Sequence, residues 1–151
     1  MPQLLKKNAF MVCQNLLQTR MAETNEAMLA AQESANSNEK SSMGDKYETG
    51  RAMSQLERDM HAKQLAKLQD EYRKLLQVDV ESKYSQIETG ALVQTEKVQY
   101  WIAISLGQVL VDEQKIMVVS PLSPVAQAML GKKIGDSFTI NGNTQKLVKI
   151  S

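Results

Sequence analysis

The feature that most constrains this chain of 151 residues is a change of hydrophobic period partway along it. From Leu4 to about Ala35 there is neither Gly nor Pro, and good helix formers dominate. Apolar or small side chains recur there every three or four positions, at Phe10, Cys13, Leu17, Met21, Thr24, Met28, Ala31 and Ala35. This spacing predicts one long helix with a single stripe that faces one partner.

A second run, from about Lys46 to Val78, lacks Pro and predicts a second helix. Its expected apolar side is marked by Met53, Leu56, Met60, Leu65, Leu68, Tyr72 and Leu75. The step from Met60 to Leu65 breaks the helical register. Turn formers and cap residues fill positions 36–45 between the two runs. We therefore expect residues 1–78 to form an antiparallel helical hairpin with its tip at about 36–45.

After Val78, short runs of β-branched and aromatic residues bounded by turn residues predict strands. The expected strands cover residues 91–94, 98–105, 115–120, 137–140 and 145–150. Asn141-Gly142 predicts a tight hairpin, while Ser123 and Pro124 predict the start of a short helix that Gly131 ends. The predicted fold class is α+β, with residues 79–151 forming a small antiparallel sheet domain with one short helix.

Composition excludes several classes of function. The chain has 18 Lys and Arg against 17 Asp and Glu, so it lacks a global basic field and we expect only indirect contact with DNA or RNA. A single Cys and a single His exclude an internal disulfide and argue against a structural zinc site. With no apolar run near the length of a membrane span and no signal-peptide core, we expect a soluble, cytoplasmic protein. No nucleotide fingerprint or Ser/His/Asp set is present, which argues against a free-standing enzyme.

Two segments of the chain carry specific motifs, Ser120-Pro-Leu-Ser-Pro-Val-Ala-Gln-Ala-Met-Leu-Gly-Lys-Lys-Ile-Gly-Asp136 and Tyr47-Glu-Thr-Gly-Arg51. The first resembles the signature that precedes the last hairpin in the bacterial Gre transcript-cleavage factors. The second resembles the Tyr-x-x-x-Arg run that opens the second coiled-coil helix of that family. The resemblance covers nearly all of the chain. It implies an FKBP-like C-terminal domain that docks on bacterial RNA polymerase beside its secondary channel, a coiled coil that enters the channel, and a monomeric factor.

The resemblance also implies acidic residues at the tip that hold Mg²⁺ together with the polymerase, where a second ion assists phosphodiester hydrolysis. When Tyr47 and Arg51 are aligned with the family run, the two acidic positions fall on Lys40 and Met43. Neither an ammonium nor a thioether binds Mg²⁺. The sequence therefore departs from the family where cleavage chemistry would reside.

The remaining candidate acids near the tip are Glu39, Asp45 and Glu48. Glu39 and Asp45 are the pair considered for Mg²⁺, in the polymerase complex only. Each acid also has a purely structural explanation. Asp45 opens a helix and would interact with its dipole, Glu39 would be a solvated loop charge, and Glu48 lies one turn from Asp45 on the same face.

For the polymerase-facing surface, the resemblance implies Pro121, Ser123, Pro124 and Lys132. Strand termination, helix initiation and helix termination also account for these residues locally. Three hypotheses stay open: a Gre-like factor that stimulates transcript cleavage, a polymerase modulator without cleavage, and a coiled-coil adaptor or dimerisation arm unrelated to transcription. A prolyl isomerase is a weaker fourth, because 5% aromatic residues cannot easily line an apolar proline pocket.

Overall fold

A computed structural model describes residues 2–39 and 44–151, without the side chains of residues 2, 38, 39 and 44–48. Helix α1 spans Pro2–Glu39 and helix α2 spans Gly44–Leu76, so both reach further toward the tip than the expected ends near Ala35 and Lys46. Ala35 is buried, and the side-chain amide of Gln32 donates a hydrogen bond of 3.0 Å to Oδ1 of Asn36 one turn later. The bond from Gln32 supports Asn36, which has weak intrinsic helix propensity, within the helix.

The predicted stripe of α1 is confirmed. Its buried members are Cys13, Leu17, Ala31 and Ala35, and its half-buried members are Phe10, Met21, Thr24 and Met28. The side chains shrink to alanine toward the end of the helix, which permits close approach of a neighbouring backbone.

The predicted stripe of α2 is correct only in its second half. Leu65, Leu68 and Tyr72 are half-buried and Leu75 is fully buried. By contrast, three earlier members are largely exposed: Met53 at 62%, Leu56 at 68% and Met60 at 54%. The prediction that all seven residues share one apolar side of α2 was therefore wrong for these three.

The inner face of α2 before the register break carries smaller and more polar side chains. Ser54 is half-buried there, and its hydroxyl donates a hydrogen bond of 3.2 Å to the hydroxyl of Ser34 on α1. His61 follows on the same face and is also half-buried. The five-residue step between Met60 and Leu65 thus marks the point where the apolar stripe changes face.

By contacts, the chain forms two compact units, Leu16–Asp70 and a second one that combines Met1–Asn15 with Glu71–Ser151. The second unit therefore contains the beginning of α1 and the end of α2 together with the whole sheet. The division of the chain into residues 1–78 and 79–151 stays a prediction.

One sheet contains six strands: β1 (Leu92–Thr95), β2 (Gln99–Ile102), β3 (Gly107–Val111), β4 (Gln114–Val119), β5 (Ser137–Ile140) and β6 (Asn143–Ile150). Their spatial order is β3-β4-β2-β1-β6-β5. Four neighbouring pairs are antiparallel, and the pair of β2 and β4 is parallel. After β2 the chain passes to β3 at the sheet edge, and it returns as β4 between β3 and β2. The fold class is confirmed, with the correction that the sheet is mixed and contains a strand, β3, that was not predicted.

A short helix, α3 (Pro124–Met129), packs on this sheet. The apolar core comprises Ile87, Ala91, Val93, Tyr100, Ile102, Val119, Ala126, Met129, Phe138, Leu147 and Ile150. The β5–β6 hairpin turns at Asn141 and Gly142, which have φ values of 51° and 78°. These left-handed conformations are the ones that a tight hairpin turn requires, so the hairpin prediction is confirmed.

Candidate functional site

The candidate site is the loop between β4 and α3, residues 120–124, which hydrogen bonds to itself. Ser123 caps α3: its hydroxyl accepts a bond of 3.3 Å from the backbone N–H of Ala126 and donates one of 2.7 Å to the carbonyl of Ser120. The backbone N–H of Ser123 also donates to that carbonyl, at 3.0 Å. Pro124 follows at the first helical position, where its missing N–H costs nothing. The predicted start of the helix is confirmed.

The apex of this loop is held from both sides. The side-chain amide of Gln127 donates a hydrogen bond of 2.7 Å to the carbonyl of Pro121, and the hydroxyl of Ser120 accepts one of 3.1 Å from the backbone N–H of Leu122. Pro121 is half-buried and Pro124 is exposed. The loop is therefore fixed in one conformation before any partner arrives.

The most exposed apolar residue of the loop is Leu122, at 80%. The sequence interpretation named its neighbours and missed this leucine. A signal was available, because a leucine between two prolines in a turn has no helical or strand periodicity that would carry it into a core. A second exposed apolar side chain, Ile134 at 57%, follows α3 in sequence and was also missed.

The base of the loop is anchored through α3. Ala126 and Met129 are fully buried in the sheet core, and the rings of Tyr100 and Phe138 meet edge to face with centroids 6.4 Å apart in that core. The helix therefore presents the loop from a well-packed platform.

The segment after α3 carries Lys132 and Lys133. The carbonyl of Lys132 accepts a hydrogen bond of 2.9 Å from the backbone N–H of Ile87, and Gly131 donates one of 2.8 Å to the carbonyl of Ile87. The Lys132 side chain is half-buried. Its backbone thus ties the start of the sheet domain to the end of α3.

The predicted tip residues lie at the ends of α1 and α2 or between them. Lys40 and Met43 lie outside the described residues. Glu39 ends α1, and Asp45 and Glu48 belong to the first turns of α2, but their side chains are not among those described. The assignment of these acids, and that of the four loop residues to a polymerase surface, remain predictions.

Other reactive side chains have structural roles. Cys13 is fully buried, and burial raises the pKa of its thiol to about 12, so it is a protonated apolar group at neutral pH. A ring nitrogen of His61 lies 3.3 Å from Oε1 of Gln64. Among the described side chains, no group of three or more His, Cys, Asp or Glu residues is arranged to hold a metal ion. No helix of the described part is long and apolar enough to cross a membrane.

Comparison with known proteins bears on the sheet domain. Residues 85–151 match the family model described as transcription elongation factor, GreA/GreB, C-terminal domain. A comparison with curated proteins finds no match. Among solved structures, the chain resembles GreA factor homolog 1 (Gfh1) of Thermus thermophilus at 19% identity, covering 91% of this chain and 94% of that one, with a TM-score of 0.38. A second structure of the transcription factor Gfh1 aligns at 19% identity, 92% and 93% coverage, and a TM-score of 0.40.

Residues 85–151 thus form a sheet domain similar to the C-terminal domain of the transcription elongation factors GreA and GreB, and in the chain this domain follows two long helices.

Proposed function

We propose that this protein binds bacterial RNA polymerase through the loop at residues 120–124 and directs its helical pair into the secondary channel, where it modulates elongation without stimulating transcript cleavage. The observation that carries the proposal is the match of residues 85–151 to the GreA/GreB C-terminal domain. The loop lies within the matched residues.

The loop has the properties of a docking surface. Leu122 is 80% exposed on a backbone that Ser123 and Gln127 hold by hydrogen bonds. An exposed apolar side chain on a rigid support loses little conformational entropy on binding and gains from burial. Pro121 and Pro124 flank it and limit the number of backbone conformations still further. Lys132 follows α3 and would add a positive charge to the same docking surface.

The absence of cleavage is proposed from the chemistry of the tip. The two positions that align with the family's acidic pair hold Lys40 and Met43, and neither side chain is a ligand for Mg²⁺. The residues at these positions do not fit a shared magnesium ion. The protein would then act by occupying the channel.

The test begins with retention of bacterial RNA polymerase by the full chain, followed by a cleavage assay on a backtracked complex with Mg²⁺. We expect retention, and cleavage at the rate of polymerase alone. Leu122→Asp should weaken retention at least about tenfold, because it places a charge in the buried centre of the interface. Leu110→Asp is the matched control, since Leu110 is 62% exposed on the edge strand β3 of the same sheet.

The outcomes separate the open hypotheses. Equal retention of both aspartate variants would contradict the loop assignment. Cleavage stimulation that disappears in the double variant Glu39→Ala/Asp45→Ala would replace channel occupation with a cleavage factor that uses those two acids. Failure to retain polymerase would return the chain to the class of coiled-coil adaptors.

A further inference from the structure

The stretch of α2 from residue 53 to 67 presents a continuous stripe to solvent. Its members are Met53, Leu56, Met60, Lys63 and Lys67, and we name it the outer stripe. The spacing alternates between three and four residues, which places all five side chains on one helical face about 21 Å long. All five are exposed, and all belong to the compact unit Leu16–Asp70.

The apolar half of the outer stripe has no structural role within the described chain. Met53, Leu56 and Met60 are 62%, 68% and 54% exposed, while the inner face of the same helix is filled by residues such as Ser54 and Leu65. Single exposed apolar residues are ordinary, but three in helical register on one face form a surface that can be buried against a partner.

The basic half of the outer stripe, Lys63 and Lys67, indicates which charge a partner would carry. In the described part of the chain, no carboxylate lies within salt-bridge distance of Lys63 or Lys67, whereas Arg58 nearby pairs with Asp59 at 2.7 Å. No member of the outer stripe is acidic, although Glu57 borders it one turn after Met53. Among the described residues, the stripe therefore carries two positive charges without a salt-bridge partner, next to an apolar ridge.

We propose that the outer stripe binds an acidic amphipathic helix of another protein, with leucine-like side chains against Met53, Leu56 and Met60 and carboxylates against Lys63 and Lys67. A helix fits because the stripe is a straight ridge that packs into the grooves of another helix. Nucleic acid would leave the apolar ridge against phosphates. A second copy of the same stripe would bring four lysines together if parallel, or set its lysines against Met53 and Leu56 if antiparallel, and in neither orientation would the stripe supply a carboxylate to Lys63 or Lys67. The inference does not rest on polymerase binding.

The test uses the full chain labelled with ¹⁵N and a synthetic helical peptide with a central leucine stripe flanked on the same face by glutamates. A second peptide has lysines in place of those glutamates. We expect the acidic peptide to bind and to shift amide resonances on α2 between residues 53 and 67. Lys63→Glu/Lys67→Glu should weaken that binding at least about tenfold and confer binding of the lysine peptide.

The apolar half of the outer stripe is tested against a matched variant on α1. Leu56→Ser/Met60→Ser on α2 should weaken binding of the acidic peptide at least about tenfold. The control Leu29→Ser, at a leucine that is 56% exposed on α1, should leave that binding within about twofold. Arg20→Glu, also exposed on α1, reverses one charge outside the outer stripe and controls for half of the change in net charge of the double lysine variant.

Three outcomes would overturn the proposal. One is the absence of binding by the acidic peptide. Another is binding that the lysine substitutions leave unchanged. The third is self-association in sedimentation velocity that Leu56→Ser/Met60→Ser abolishes, which would make a second copy the occupant. None of these measurements involves polymerase, so their failure and a failure of the proposed function are separately visible.

Discussion

The amine of Lys6 on α1 donates a hydrogen bond of 2.6 Å to the backbone carbonyl of Ser82 in the segment that follows α2. The Lys6 side chain is fully buried, and its amine lies 5.0 Å from the centroid of the Tyr84 ring. Desolvation lowers the pKa of the Lys6 amine, and the negative charge of Asp79 opposes that shift. The beginning of α1 is thus fastened to the segment between α2 and the sheet by the buried stem and the hydrogen-bonded amine of one lysine.

This geometry predicts that the aliphatic stem of Lys6 matters more than its charge. Lys6→Ala should destabilise the protein by about 2–4 kcal/mol, because it empties a buried volume. Lys6→Met should change the free energy of unfolding by less than about 1 kcal/mol, because it keeps the aliphatic stem and removes a desolvated amine. The Ser82 carbonyl would lose its partner, but Ser82 is an exposed residue, so we expect water to replace the amine. Urea unfolding of both variants measures the difference. Equal losses would show that the hydrogen bond, and not the stem, carries the stability.

The neighbouring Asp79 predicts a dependence of stability on acidity. The Ser82 hydroxyl donates to its carboxylate, as do the backbone N–H groups of Glu81, at 2.8 Å, and Ser82, at 3.1 Å. These bonds lower the pKa of Asp79 below its ordinary value of 3.8. Because the folded pKa lies below the unfolded one, the stabilisation is present above the unfolded value and is lost as the pH falls through the folded value.

The free energy of unfolding should therefore decrease less steeply below about pH 4 in Asp79→Asn than in the unsubstituted chain. Ser82→Ala should give an intermediate slope, since the hydroxyl of Ser82 is the largest cause of the pKa shift. Urea midpoints across the acid range provide the measurement. Parallel curves for all three chains would contradict the role of this turn.

The thiol of Cys13 provides a chemical measure of how readily the beginning of α1 opens. Cys13 is fully buried and its pKa is about 12, so the reactive thiolate is scarce at neutral pH and reagents have no access to it. A disulfide reagent should modify the native protein at least about 100-fold more slowly than the urea-unfolded protein. Rapid modification under native conditions would show that the beginning of α1 opens readily.

Two leucines of the helical pair should respond oppositely to the same substitution. Leu17 is 1% exposed on α1, whereas Leu56 is 68% exposed on α2. Leu17→Ala should destabilise by about 2–5 kcal/mol, and Leu56→Ala by less than about 0.5 kcal/mol. Thermal or urea unfolding tests the pair directly. A large loss of stability in Leu56→Ala would contradict the exposure of Leu56 and support its grouping with the buried residues of α2.

Much of the fold could be predicted from local signals that agree with the tertiary structure. The three- and four-residue spacing of α1 placed Cys13 and Leu17 inside, and Ser123-Pro124 marked the start of α3 because cap and first-turn geometry are local requirements. The exposure of Met53 and Leu56 could not be predicted in this way, because apolar spacing shows that a face exists and not what lies opposite it.

The candidate site was predictable in part for a similar reason. Ser123 and Pro124 have conformational signatures, whereas the exposure of Leu122 depends on where the loop projects from the sheet. Lys6 illustrates the reverse case, since a lysine is normally placed outside and here the tertiary fold buries its stem. Positions where polar and apolar expectations fail are the ones that packing between distant segments decides.

The strand that the sequence did not reveal, β3, yields a last prediction. The β3–β4 hairpin turns at Asp112 and Glu113, with φ values of 49° and 64°, and neither residue is the Gly or Asn that usually marks such a turn. A glutamate held in the left-handed region is strained, so Glu113→Gly should stabilise the protein by up to about 1 kcal/mol. Asp112→Gly should stabilise the protein less, because Oδ2 of Asp112 accepts a hydrogen bond of 2.8 Å from the side-chain amide of Asn8 on α1.

Gly142→Ala provides the opposite control, since it places a side chain at φ 78° in the β5–β6 turn and should destabilise the protein by about 1 kcal/mol. Urea midpoints of the three variants test the set, and a loss of stability in Glu113→Gly would mean that the glutamate side chain contributes more than its backbone strain costs.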